Sequence, residues 1–125
     1  MAKFSLSHDG KWLIYQSTLQ SGVPNIRAIL VEGGTSQTVA VTPGENYHPF
    51  LSPSGRWLYF QPNHKNLYRV PGPTQDWRPA APERVTDFPE SNLYIEDPQC
   101  SRDGRRLFFS RERITSDIWI MHLGN

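Results

Sequence analysis

Several features that mark common protein classes are scarce or missing in this 125-residue chain. Cys100 is the only cysteine, so no intrachain disulfide and no cysteine-based metal site can form. No apolar run approaches the ~20 residues needed to cross a bilayer. The formal net charge of +1 gives no general field that would attract nucleic acid or an anionic membrane. We therefore expect a soluble protein without nucleic-acid or membrane partners.

Motifs for catalysis and metal binding are missing as well. No two histidines have a metal-ligand spacing such as His-x-x-x-His, and no Gly-x-Ser-x-Gly sequence indicates a serine nucleophile. The pair Gly33-Gly34 is too short for a phosphate-binding loop. The sequence thus predicts a protein that is not an enzyme and has no cofactor and no metal. The four histidines are His8, His48, His64 and His122.

What the chain does contain is one phrase repeated three times, at intervals of forty-odd residues. Each copy is a serine, a short turn ending in Asp-Gly or Ser-Gly, a basic residue, and then a hydrophobic run. The copies are Ser7-His8-Asp9-Gly10-Lys11, Ser52-Pro53-Ser54-Gly55-Arg56 and Ser101-Arg102-Asp103-Gly104-Arg105. Pro49 and Pro98 precede the second and third glycines at the same offset. A period of this size is typical of a repeat architecture.

Each copy predicts a set of antiparallel strands. The hydrophobic runs after the glycines are too short for helices, and no segment shows a capped helical period. Four strands are expected in the first two repeats, the fourth at 37–42 and 83–86, whereas the third repeat reaches Asn125 without one. Four antiparallel strands per repeat define a β-propeller blade. The prediction is an all-β domain over 1–125, half of a six-bladed-type propeller, with blades at about 4–43, 47–88 and 96–125.

The repeated turn has a physical explanation. An Asp or Ser side chain in a tight turn accepts hydrogen bonds from nearby backbone N–H groups, and glycine adopts the positive φ that closes the turn. We therefore predict a structural role in the blade turns, rather than a catalytic one. The residues concerned are Asp9, Gly10, Ser54, Gly55, Asp103 and Gly104.

The three copies resemble the WD40-like (PD40) repeats of TolB-type propellers, whose consensus is close to Ser-Pro-Asp-Gly followed by a basic residue and a hydrophobic strand. The downstream strands Leu67-Tyr68-Arg69-Val70 and Ile118-Trp119-Ile120-Met121 look like a second strand of that family. The resemblance covers nearly the whole chain. It implies a protein-binding propeller, in contexts such as periplasmic complexes or bacterial sensor proteins.

Three blades do not close a ring, since propellers usually have about four to eight. The expected partner is therefore another copy of the chain, in a cyclic dimer of six blades or a trimer of nine, or else the remainder of a longer propeller chain. Nothing before the first repeat resembles a signal peptide. The expected location is cytoplasmic by default and periplasmic if a leader has been removed.

A candidate binding site is the mouth of the central channel, which the innermost strands of a propeller line. Polar residues that precede Pro49 and Pro98 are candidates for binding a cation, a protein or a peptide, against the alternative of ordinary loop polarity. Trp77, in a proline-rich loop, is the candidate exposed anchor for a partner. The channel-mouth candidates are Glu45, His48, Glu96 and Asp97.

The sequence leaves three interpretations open. The first is a non-catalytic interaction or scaffold module that completes a ring by homo-oligomerisation. The second is an accessory propeller fragment of a larger peptidase or hydrolase, or of a bacterial sensor kinase or transcriptional regulator. The third is a fragment engineered to test propeller assembly.

Overall fold

The computed structural model describes most of the chain, namely residues 4–18, 24–39, 45–63, 65–73, 81–88, 94–112 and 116–123. Within these ranges there are strands, turns and bends but no helix. The strands form three antiparallel sheets of four, four and three strands, and neighbours in the sheet are neighbours in the chain. Each sheet corresponds to one predicted blade. The predicted fold class is confirmed.

Blade 1 consists of β1 (Phe4–Leu6), β2 (Trp12–Ser17), β3 (Asn25–Leu30) and β4 (Gln37–Thr38). Blade 2 consists of β5 (Asn46–Leu51), β6 (Trp57–Pro62), β7 (Tyr68–Pro71) and β8 (Glu83–Arg84). Blade 3 consists of β9 (Tyr94–Cys100), β10 (Arg106–Glu112) and β11 (Ser116–His122).

The outer strands are shorter than predicted. In blade 2 the predicted fourth strand ran to Thr86, but only Glu83 and Arg84 pair with β7. Beyond them Val85 N still donates to Leu67 O at 2.8 Å, but Leu67 N donates to the hydroxyl of Thr86 at 2.9 Å, so a side chain takes one of the two backbone bonds that a further strand pair would need. In blade 1 only Gln37 and Thr38 pair with β3. The predicted continuation of that strand at 40–42 lies outside the described residues.

Side chains alternate between the two faces of each blade and form two cores. Leu58 and Phe60 of β6 point toward blade 1, where they pack in one buried cluster with Trp12 and Ile14 of β2. Tyr59 lies on the other face and stacks on Phe50, with 5.0 Å between ring centroids. A second buried cluster joins blades 2 and 3 and contains Leu67, Ile95, Leu107 and Phe109. Each blade is therefore apolar on both faces.

The first strand of each blade occupies the inner position. Strand β5 lies against β1 on one side and against β9 on the other. The blades are thus arranged around their first strands, as a propeller requires.

Candidate functional site

The turns of blades 1 and 3 are built in the same way around a carboxylate. Asp9 Oδ1 accepts hydrogen bonds from Ser7 Oγ at 2.6 Å and from Lys11 N at 2.9 Å. Ser7 Oγ in turn accepts from Trp12 N at 2.9 Å. In blade 3, Asp103 Oδ1 accepts from Ser101 Oγ at 2.6 Å and from Arg105 N at 3.0 Å. One side chain thus fixes the turn and the start of the next strand.

The turn of blade 2 has the same backbone but longer side-chain bonds. Ser54 Oγ accepts from Arg56 N at 3.2 Å and lies 3.3 Å from Ser52 Oγ. The backbone bond from Gly55 N to Ser52 O, at 2.9 Å, matches those of the other turns. Hydrogen bonds to a charged acceptor are shorter and stronger than neutral ones. Replacing the carboxylate by a hydroxyl therefore loosens the side-chain part of the turn and leaves the backbone part unchanged.

The turn carboxylates are ionised acceptors. The hydrogen bond from Ser7 Oγ, followed by that from Lys11 N, lowers the pKa of Asp9 below its usual value. The bonds from Ser101 Oγ and Arg105 N lower the pKa of Asp103 in the same way. Each bond favours the charged form because the carboxylate accepts it. This geometry supplies no proton donor at neutral pH.

The turns also contact one another from blade to blade. All three turn glycines have a positive φ, 74° at Gly10, 75° at Gly55 and 73° at Gly104. The Cβ of His8 lies 2.9 Å from the position that a Cβ atom would take on Gly55, and Pro53 Cδ lies 3.6 Å from that position on Gly104. No described atom lies within 4 Å of the corresponding position on Gly10. The second residue of each of the first two turns thus covers the glycine of the following blade.

The inner strands of blades 2 and 3 share a bulge that contains the predicted X-Pro pairs. His48 and Pro49 together lie opposite Phe60, because the register shifts between Tyr47 and Phe50. Asp97 and Pro98 lie opposite Phe109 in the same manner. Proline suits a bulge because it has no N–H to donate to the ladder. The shared proline offset indicated this feature, but the bulge itself was not predicted.

His48 adopts a φ of 54°, which is uncommon for a residue other than glycine. Its backbone N–H donates to Gln16 Oε1 of blade 1 at 3.2 Å. Glu45 is exposed and accepts a short hydrogen bond from the hydroxyl of Tyr47. That bond raises the pKa of Tyr47 to about 12.

The remaining channel-mouth candidates are described only in part. Glu96 and Asp97 belong to β9, and Asp97 occupies the bulge position equivalent to that of His48. Their side chains, and the whole of Trp77, lie outside the described residues. The grouping of Glu45 and His48 with the two acids therefore stays a prediction.

Two contacts between neighbouring elements were missed. Gln61 is fully buried, and its Nε2 donates to Ile95 O of blade 3 at 2.8 Å and to Lys65 O at 3.1 Å. Gln16 of blade 1 also reaches the inner strand of the next blade, where its Oε1 accepts a hydrogen bond from His48 N. Both glutamines follow their turn glycine at the same offset, and that offset was the signal available in the sequence. These side chains tie each blade to the inner strand of the next.

The second missed contact is an aromatic and charged group on the blade 3 side of blade 2. The guanidinium of Arg69 lies over the ring of Trp57 at 3.8 Å, and its Nη2 donates to Glu83 Oε1 at 3.1 Å. Burial raises the pKa of Tyr59, which pairs with Arg69 across the strands. These residues adjoin an open cleft of about 520 Å³ between the turns of the two blades. It is lined by Ser52, Pro53, Ser54, Arg56, Trp57, Tyr59, Arg102, Asp103 and Gly104.

The described residues contain no group of three or more His, Cys, Asp or Glu side chains that could hold a metal ion. Cys100 is partly buried, and burial raises the pKa of its thiol. Within the same ranges there is no helix of sufficient length and apolarity to span a bilayer.

The sheets, their order and their contacts define the chain as a set of β-propeller blades. No protein-family model and no curated protein matches the sequence.

Among solved structures, the chain is similar to a protein assigned as TolB from Agrobacterium tumefaciens, with a TM-score of 0.75 and 23% identity over 98% of this chain. It is also similar to TolB from Acinetobacter baumannii, with a TM-score of 0.70, 19% identity and 98% of this chain covered. An oligogalacturonate lyase from Vibrio parahaemolyticus matches with a TM-score of 0.64, 16% identity and 85% of this chain covered. The chain spans 46%, 29% and 27% of these proteins, respectively.

Proposed function

We propose that this chain is a non-catalytic interaction module of the TolB-like, PD40 class, which completes a propeller ring by binding a second copy of itself. The observation that carries the proposal is the state of its two end faces. The blade faces between blades 1 and 2 are buried, but Phe4 of β1 and Ile118 of β11 are 69% and 83% exposed. Exposed large apolar side chains of this kind favour association, because association removes their surface from water.

The completed ring would present the loops at the channel mouth to a protein or peptide partner. Glu45 and the strained His48 stand at the start of β5, which lies between the other two inner strands. Backbone strain of this kind is common at binding sites. A ring would bring two copies of this region to one channel.

Sedimentation velocity over the micromolar range tests the assembly. We expect a discrete species of twice the 14.4 kDa of one chain, which dissociates on dilution. A single monomeric species at every concentration would rule out homo-oligomerisation. The other blades would then have to come from the remainder of a longer propeller chain.

A second function, an accessory propeller fragment of a larger enzyme, is favoured by one comparison. The oligogalacturonate lyase shares the fold, and this chain spans only 27% of it. Incubation of the chain with oligogalacturonate, followed by measurement of unsaturated product, tests whether the chain itself has catalytic activity. The interaction-module proposal predicts no product above the blank.

A further inference from the structure

The end face of blade 1 is apolar and lies open. The register pairs Phe4 with Tyr15 and Leu6 with Leu13, so these four side chains share the face opposite the blade 1–blade 2 core. Phe4 is 69% exposed and Leu6 is 58% exposed. This head face is defined by Phe4, Leu6, Leu13 and Tyr15.

The end face of blade 3 is apolar as well. Phe108 pairs with Ile120, and Ser110 pairs with Ile118, on the side that does not contact blade 2. Ile118 is 83% exposed and Ile120 is 54% exposed. This tail face is defined by Phe108, Ile118 and Ile120.

The packing of blade 1 against blade 2 shows which two kinds of blade face contact each other within the chain. Leu13 and Tyr15 follow their turn glycine at the same offsets as Leu58 and Phe60. In blade 2 that face packs against Ile14 of the preceding blade. The residue of blade 3 at the offset of Ile14 is Phe108, which lies on the tail face. A tail face is therefore the kind of surface that covers a head face, and head-to-head packing has no counterpart within the chain.

The turns give the same direction of assembly. His8 and Pro53 each cover the glycine of the next blade, and the residue at their position in blade 3 is Arg102. Gly10 has no described atom within 4 Å of its Cβ position. The exposed carboxylate of Asp9 lies beside it in the chain and offers a complementary charge to an arginine.

We propose that two copies close head to tail into a six-bladed ring, in which the tail face of each covers the head face of the other and Arg102 lies over Gly10 of its partner. This inference rests on the proposed function and names its interface. Six blades lie within the usual range of about four to eight, whereas the nine of a trimer do not. A two-fold axis along the channel would produce two identical junctions.

Two double variants of the full chain test the direction. Phe4→Asp with Leu6→Asp blocks the head, and Ile118→Asp with Ile120→Asp blocks the tail. All four side chains are more than half exposed, so both variants should keep the β-sheet circular dichroism of the wild type. We expect each variant alone to be monomeric where the wild type is dimeric. Their mixture, with one partner carrying a mass tag, should form an open heterodimer through its single intact junction.

The outcomes separate the two proposals. A wild type that is monomeric throughout would defeat the proposed homo-oligomerisation. A dimeric wild type with one double variant that remains a homodimer would defeat only the head-to-tail arrangement, because a face that binds itself does not need the other. A mixture without heterodimer at the highest attainable concentration would also contradict it.

The arginine is tested separately. Arg102→Glu should weaken the dimer about tenfold or more, because it places a carboxylate beside Asp9. Arg105→Glu, the same charge change three positions along the chain, is the matched control and should have a much smaller effect. Equal weakening by both variants would show that only net charge matters and would overturn the Arg102 contact.

Discussion

The blade face that is buried between blades 1 and 2 can be compared with the blade faces at the two ends of the chain. Both are apolar, but only the first is covered by a described neighbouring blade. Leu58 and Phe60 are fully buried against blade 1, whereas Leu13 and Tyr15, at the same offsets one blade earlier, have no described blade beyond them. Burying a Leu or Phe side chain contributes about 1.5–3 kcal/mol. The difference teaches that the sequence of a blade encodes two apolar faces. Whether the free energy of burying them contributes to stability depends on whether a neighbouring blade covers them.

The largest expected effect comes from breaking the interior interface. Phe60→Ala should destabilise the chain by about 3–5 kcal/mol, because it removes a fully buried ring from the core between blades 1 and 2. Urea unfolding followed by tryptophan fluorescence measures this loss.

Tyr15→Ala is the matched control, since it removes an aromatic ring at the same offset on the head face. Below the concentration at which the chain assembles, Tyr15→Ala should lower the free energy of unfolding by much less than Phe60→Ala does. Above that concentration the two costs should approach each other, because binding a partner stabilises the folded state. A Tyr15 cost that is independent of concentration would contradict the account.

The next largest effect is expected from alanine substitution of the turn glycines, where a glycine covered by the preceding blade is compared with one that no described atom covers. Gly10→Ala should cost more than ~1 kcal/mol, because alanine is strained at positive φ. Gly55→Ala should cost more than that, since its new methyl group would also lie 2.9 Å from His8 Cβ. Thermal melts of the monomer measure both. Equal losses of stability would mean that the contact between His8 and the turn of blade 2 does not restrict residue 55.

The smallest effect compares the carboxylate turns with the hydroxyl turn. The pKa values of Asp9 and Asp103 are lowered in the folded chain, so their contribution is present above the unfolded pKa and is lost as pH falls through the folded pKa, below about 4. Ser54→Asp should raise the melting temperature by a few degrees at most at pH 7.

The gain from Ser54→Asp should be smaller at pH 3 than at pH 7, because pH 3 lies below the unfolded pKa of an aspartate and part of the contribution of its carboxylate is then lost. Ser54→Asn, which is isosteric with the aspartate but uncharged, is the control. A gain of the same size at both pH values would mean that the turn does not depend on charge.

Much of the fold was predictable from local signals. The Asp-Gly and Ser-Gly turns act over two or three residues, and they located the starts of β2, β6 and β10. The number of strands in each blade followed from the hydrophobic runs between them. The outer strand of blade 2 was overestimated because the hydroxyl of Thr86 accepts the hydrogen bond of Leu67 N in place of a backbone carbonyl, which no periodicity reveals.

The candidate site was less predictable because its contacts join distant parts of the chain. Gln61 reaches Ile95, and Arg69 is positioned by Trp57 and Glu83, so each depends on how strands pair and blades pack. The positive φ of His48 arises at a bulge whose existence depends on the opposite strand. The sequence supplied these residues but not their neighbours.

The most direct measurement is an experimental structure of the assembled protein. The account predicts one ring of six blades from two chains, with Ile118 and Ile120 of each buried against Leu6 and Leu13 of the other and Arg102 over Gly10. Two tail faces packed against each other, or a single chain with both end faces in solvent, would contradict it.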